Sequence, residues 1–128
     1  MKKHIVFFLL FVIFFPTLSY SQSKRASRLF FPINCFVVNI SDRKGTDLTF
    51  LRICIEIECK NERMKAELGN NLPEIKDSFL FVLSNKLAED LLTIKGKTIL
   101  RNELSKKVNQ ILDPGKITNI WFTGFVME

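Results

Sequence analysis

Leu48-Thr49-Phe50-Leu51-Arg52-Ile53-Cys54-Ile55-Glu56-Ile57-Glu58-Cys59-Lys60, followed directly by Asn61-Glu62-Arg63-Met64-Lys65-Ala66-Glu67-Leu68, is where the chain changes period. Up to Lys60 the pattern repeats every two residues. Leu51, Ile53, Ile55, Ile57 and Cys59 fall on one face and Arg52, Cys54, Glu56 and Glu58 on the other, which predicts a strand with one wet side. From Asn61 the apolar positions recur at helical spacing. Asn61 suits an N-cap, and Gly69-Asn70-Asn71 a stop or kink.

Upstream, Phe30 to Ile40 holds the strand formers Phe36-Val37-Val38-Asn39-Ile40, and Ser41 to Asp47 supplies turn chemistry, so the two runs predict an antiparallel hairpin. Downstream, Pro73 suits a first helical turn, with Glu74 and Asp77 complementing the positive end of its dipole. Ile75, Phe79, Val82 and Leu83 line the core-facing stripe of that helix. Leu80 and Phe81 widen the stripe and predict burial on more than one side. Ser84 to Leu92 reads as a connection, and Thr93 as the cap of a longer helix to Leu112 with Leu100, Leu104, Val108 and Ile111 inward. Asp113-Pro114-Gly115 ends it.

Ile117 to Met127 closes the chain as a strand. Strict alternation sets Trp121, Phe125 and Met127 on one face against Phe122 and Val126 on the other, so both faces are apolar. Such a strand belongs in the middle of a sheet or under a partner, which makes Trp121, Phe125 and Met127 a candidate interaction surface. The order β-β-α-α-α-β predicts an α+β fold, a small antiparallel-containing sheet covered by helices on one face.

The first 21 of the 128 residues differ in kind. Met1-Lys2-Lys3-His4 is a positive start, Ile5 to Phe15 is an unbroken apolar run, and Pro16-Thr17-Leu18 follow. This is short for a membrane span and fits a secretory leader, with small residues at Ser19 and Ser21 placing cleavage between Ser21 and Gln22. A short membrane anchor is the alternative, and Lys24, Arg25 and Arg28 would then sit at anionic headgroups. Residues 22–33 form a basic tether and residues 34–128 the exported domain.

Lys2 and Lys3 account for two of the 19 basic residues, so against 13 acidic ones the rest of the chain carries +4. The surplus is mild and shows no basic stripe interleaved with aromatics, which argues against nucleic acid. Cys35, Cys54 and Cys59 lack CxxC spacing and histidine partners, which argues against zinc. Their apolar surroundings predict buried, unpaired thiols, with one disulfide as the alternative in an oxidising compartment.

The sole histidine, His4, lies in the leader. Without it the domain lacks the commonest general base, and GxSxG, HExxH and glycine-rich phosphate loops are absent from the sequence. The carboxylate pairs Glu56/Glu58 and Glu89-Asp90 are the remaining candidates for chemistry. Glu56 and Glu58 read as a solvated strand face and Glu89-Asp90 as helix-start residues, while Lys95, Lys97, Arg101 and Lys106-Lys107 read as a solvated helix face. A non-enzymatic protein without cofactor, metal or small-molecule substrate is expected.

Leu72-Pro73-Glu74-Ile75-Lys76-Asp77, Leu83-Ser84-Asn85-Lys86, Ala88-Glu89-Asp90-Leu91, Gly96-Lys97 and Ile120-Trp121-Phe122-Thr123-Gly124-Phe125-Val126 occur in that order. Together with Phe36-Val37-Val38-Asn39-Ile40 and Leu51-Arg52-Ile53, this set resembles the flagellar basal-body-associated FliL family. Pro73, Ile75, Asp77, Glu89, Asp90, Leu91, Gly96, Phe122, Thr123 and Phe125 are the positions that carry it. The resemblance implies a periplasmic domain similar to stomatin and prohibitin-homology modules, self-association, and a place beside the stator units of the flagellar motor at the inner membrane. The implied mechanism is mechanical, bracing one state of the stator. A periplasmic binding or adaptor domain of the same fold without a motor role is the alternative. The sequence departs from the family pattern in its short apolar run, in Lys95 where an acidic residue is common, and in the final Glu128.

Overall fold

The computed structural model describes residues 27–112 and 115–128. The expected leader with its Ser21/Gln22 cleavage point, and residues 22–26 of the expected tether, lie outside the described residues. Strand β1 spans Leu29–Ser41 and β2 spans Leu48–Cys59, and these form the expected hairpin. Four helices follow, α1 (Glu62–Asn70), α2 (Leu72–Ser84), the one-turn α3 (Ala88–Leu91) and α4 (Ile94–Ile111), before β3 (Asn119–Met127). The structure is α+β, a three-stranded antiparallel sheet in the order β1-β2-β3 with helices on one face. β1 begins at Leu29, inside the stretch assigned to the tether, because Leu29 to Pro32 pair with Cys59 to Glu56.

Helix starts follow their caps. The Asn61 side-chain oxygen accepts from the Met64 amide at 2.9 Å, and the Thr93 hydroxyl accepts from the Gly96 amide at 2.9 Å. Each satisfies an amide that the first helical turn leaves unpaired. α3 occupies the stretch read as connection, where Ala88 and Leu91 are buried.

The core forms where the inner face of β2 meets the helices. Leu51, Ile53, Ile55 and Ile57 pack with Leu68 of α1, Ile75, Phe79 and Leu83 of α2, and Leu100, Leu104 and Val108 of α4. The Phe36 and Phe79 rings lie 6.0 Å apart across the sheet-helix interface. α2 is buried along this one stripe alone. Phe81 is 70% exposed and Leu80 41%, which corrects the expectation of burial on more than one side.

Two bulges decide which side chains face inward. In β1 the register shifts at Ile33, an extra residue followed by Asn34 at φ 81. Before it Leu29 and Phe31 share the inner face; after it the inward positions are Phe36, Val38 and Ile40. In β3 the extra residue is Thr123, so Ile120 and Phe122 face inward before it and Phe125 and Met127 after it. An added residue reverses the alternation of everything beyond it.

The first bulge corrects the expectation for the cysteines. Strict alternation from Phe31 would turn Cys35 inward, but the bulge turns it outward, directly opposite Cys54 on the wet face. The two form a disulfide, and Cys59 stays a buried free thiol. β3 is corrected too: it is an edge strand paired with β2 alone, with nothing described on its other side.

Candidate functional site

The β1–β2 turn is tied to α3. Both carboxylate oxygens of Glu89 accept from the Arg43 amide, at 2.9 and 3.1 Å, and the Arg43 guanidinium donates to Asp90 at 2.9 Å. The amide of Arg43 holds the Glu89 carboxyl below its ordinary range. These two carboxylates therefore act as a clamp between elements rather than as helix-start charges alone. A parallel bridge between Ser41 and Leu87 reinforces the same corner.

Gly96 completes the corner. A Cβ at residue 96 would lie 1.5 Å from the Asp90 carbonyl oxygen, so the first turn of α4 can pass α3 only without a side chain there. Beside this tight passage Leu92 is 69% and Ile94 87% exposed. Lys95 follows Ile94 on the surface. It lines a cleft with Glu89 and Asp90 but forms no ion pair among the described residues.

A second feature lies between α2 and the C-terminal half of α4. Here a groove of about 650 Å³ is lined by Glu74, Asp77, Leu80 and Phe81 of α2 and by Lys107 and Ile111 of α4, among others. It combines exposed apolar surface with two carboxylates that have no ion pair among the described residues.

The outer face of the sheet carries a third. Trp121 donates its indole N–H to Glu58 at 2.9 Å, and Arg28 lies 3.8 Å from the other Glu58 oxygen. Glu58 is thus buried and paired, not solvated as the alternation predicted. Trp121 and Val126 face outward, 39% and 42% exposed, whereas Phe125 and Met127 pack against the core. Trp121, Phe125 and Met127 do not share a face. Gly124 sits opposite Cys54, where an added Cβ would be 3.2 Å from its sulfur.

The basic face of α4 is partly engaged. Lys97 stands 4.5 Å from the ring centre of Phe125 and Arg101 5.3 Å from that of Phe122, distances at which the ring quadrupole attracts a cation. These contacts roof the inner side of β3, a role for Lys97 and Arg101 that charge patterning alone missed. Lys86 pairs with Glu103.

The resemblance positions separate in space. Ile75 and Leu91 are core residues, and Pro73 and Asp77 are exposed on α2. Glu89, Asp90 and Gly96 meet at the α3–α4 corner, while Phe122, Thr123 and Phe125 shape β3 around its bulge. Most of these residues build the scaffold. Among the described residues, no group of His, Cys, Asp and Glu could hold a metal ion, and no helix is long and apolar enough to cross a membrane.

The pattern extends to known proteins. The chain is 32% identical over 93 residues to the flagellar protein FliL of Aquifex aeolicus, covering 73% of this chain and 56% of that one. It is 33% identical over 92 residues to the flagellar FliL protein of Caulobacter vibrioides, covering 72% and 44%. With the flagellar protein FliL of Bacillus subtilis it shares 28% over 78 residues, covering 61% and 56%. The chain spans about half the length of these curated relatives. Residues 30–127, from the first residues of β1 to the end of β3, match the family described as flagellar basal body-associated protein FliL, and the chain belongs to that family.

Proposed function

We propose that this chain is a non-enzymatic accessory of the flagellar basal body that lies in the periplasm, self-associates around stator units and supports motility. The observation that carries the proposal is the family match across residues 30–127, the whole span from the first strand to the last. The surface supports it: Leu92, Ile94, Phe81 and Trp121 present separate apolar points suited to protein contacts, and β3 offers an edge that is unpaired among the described residues. A brace works by binding one conformational state of its partner better than another, so it needs surface rather than a reaction centre. On this reading the fold is used as stomatin and prohibitin-homology modules use theirs, as a self-associating unit beside a membrane.

Deleting the gene in its parent bacterium should impair motility, and in-cell cross-linking of the full chain should give adducts with stator subunits. Normal motility with no stator adduct would defeat the proposal. The Ser19-Tyr20-Ser21 pattern favours one further reading, release of the domain after Ser21 as a periplasmic adaptor. Intact mass distinguishes them, because an N-terminus at Gln22 in a soluble fraction supports release and an N-terminus at Met1 in membranes supports anchorage.

A further inference from the structure

We propose that copies of this chain join head to tail, the Leu92–Ile94–Lys95 corner of one copy seating in the α2–α4 groove of the next. The inference rests on self-association and names the surfaces that produce it.

The two surfaces complement each other in chemistry. The corner is an apolar projection, Ile94 at 87% exposure beside Leu92 at 69%, followed by a cation without an ion pair among the described residues. The groove has the complementary character. Its apolar part is Leu80 and Phe81, and its α2 wall carries Glu74 and Asp77, likewise without ion pairs among the described residues. Lys107 occupies the opposite wall, so the entering Lys95 is directed toward the α2 side. Of the other charges that line the cleft beside Lys95, Glu89 and Asp90 are engaged by Arg43 and Lys86 by Glu103.

Position also fits. The corner lies at the start of α4 and the groove is lined by Lys107, Gln110 and Ile111 near its end, so they are roughly 20 Å apart along one helix. Two different, complementary surfaces separated on one molecule cannot satisfy each other within that molecule. They generate a heterologous contact, which repeats into a ring where the rotation closes and into a filament where it does not.

The test uses the full chain in its native membrane or soluble fraction. A photoreactive side chain at residue 94 should cross-link to residues 74–84 of another copy. Asp77→Lys should weaken association at least tenfold, and adding Lys95→Asp to it should restore most of the loss, since the reversed pair attracts again. Association unchanged in Asp77→Lys, or cross-links from residue 94 falling elsewhere on the partner copy, would overturn this docking mode and leave self-association standing. A wild-type chain found only as monomer would remove both. Circular dichroism of each variant separates lost docking from lost folding.

Discussion

The carbonyl oxygen of Asp90 occupies the space a side chain at position 96 would need: a Cβ on Gly96 would stand 1.5 Å away from it. Backbone is the obstacle, so no rotamer change relieves the clash. Gly96→Ala is expected to cost about 3 kcal/mol, the upper part of the range for overpacking, despite alanine's better helix propensity. Urea denaturation of wild type and variant measures it.

Glu89 makes the β1–β2 turn sensitive to acid. Its two hydrogen bonds from the Arg43 amide favour the carboxylate and lower its pKa below the ordinary 4.5. A lowered folded-state pKa means the stabilisation is complete above the ordinary value and is lost as pH falls through the lowered one. The Arg43 amide resonance should therefore titrate below pH 4.5 in the wild type. In Glu89→Gln that titration should shrink to what the neighbouring Asp42 and Asp90 carboxylates leave.

Cys35 and Cys54, 19 residues apart in sequence, close the hairpin covalently. Replacing both with serine is expected to lower stability by about 3 kcal/mol through the freed unfolded chain. Non-reducing mass spectrometry of the native protein should find the two joined. Cys59, whose thiol is buried and pushed up in pKa by that burial, should resist alkylation until the protein unfolds.

Trp121→Phe keeps a ring on the outer face but removes the donor to Glu58. The buried carboxylate then loses a partner, at a cost of about 1–3 kcal/mol. Adding Glu58→Gln should recover part of that loss in thermal melts followed by circular dichroism, because an amide is cheaper to leave buried than a charge.

Phe79 is fully buried against Phe36 at the centre of the sheet-helix interface. Phe79→Ala should destabilise by about 3–5 kcal/mol, while the same change at the exposed Phe81 should leave stability within about 0.5 kcal/mol. Paired denaturation curves compare them.

The sequence by itself determined most of the elements, the one-turn α3 and the first residues of β1 excepted. Alternation from Leu51 to Cys59 specifies β2, the Asn61 and Thr93 caps specify where two helices start, and the stripe Ile75, Phe79, Val82, Leu83 specifies what α2 buries. These are local consequences of period and capping. The ordered motifs also pointed to the family, which the match over residues 30–127 establishes.

Only the tertiary structure decided which faces those elements present. The extra residues Ile33 and Thr123 invert the alternation beyond them, joining Cys35 to Cys54 and separating Trp121 from Phe125 and Met127. A bulge exists only relative to a partner strand's hydrogen bonds, so periodicity along one strand cannot contain it. The meeting of Glu89 and Asp90 with Arg43 is likewise invisible in sequence, since it joins residues more than 45 positions apart. The exposed Leu80 and Phe81 are legible as apolar, but their freedom depends on how little of α2 the sheet and α4 cover.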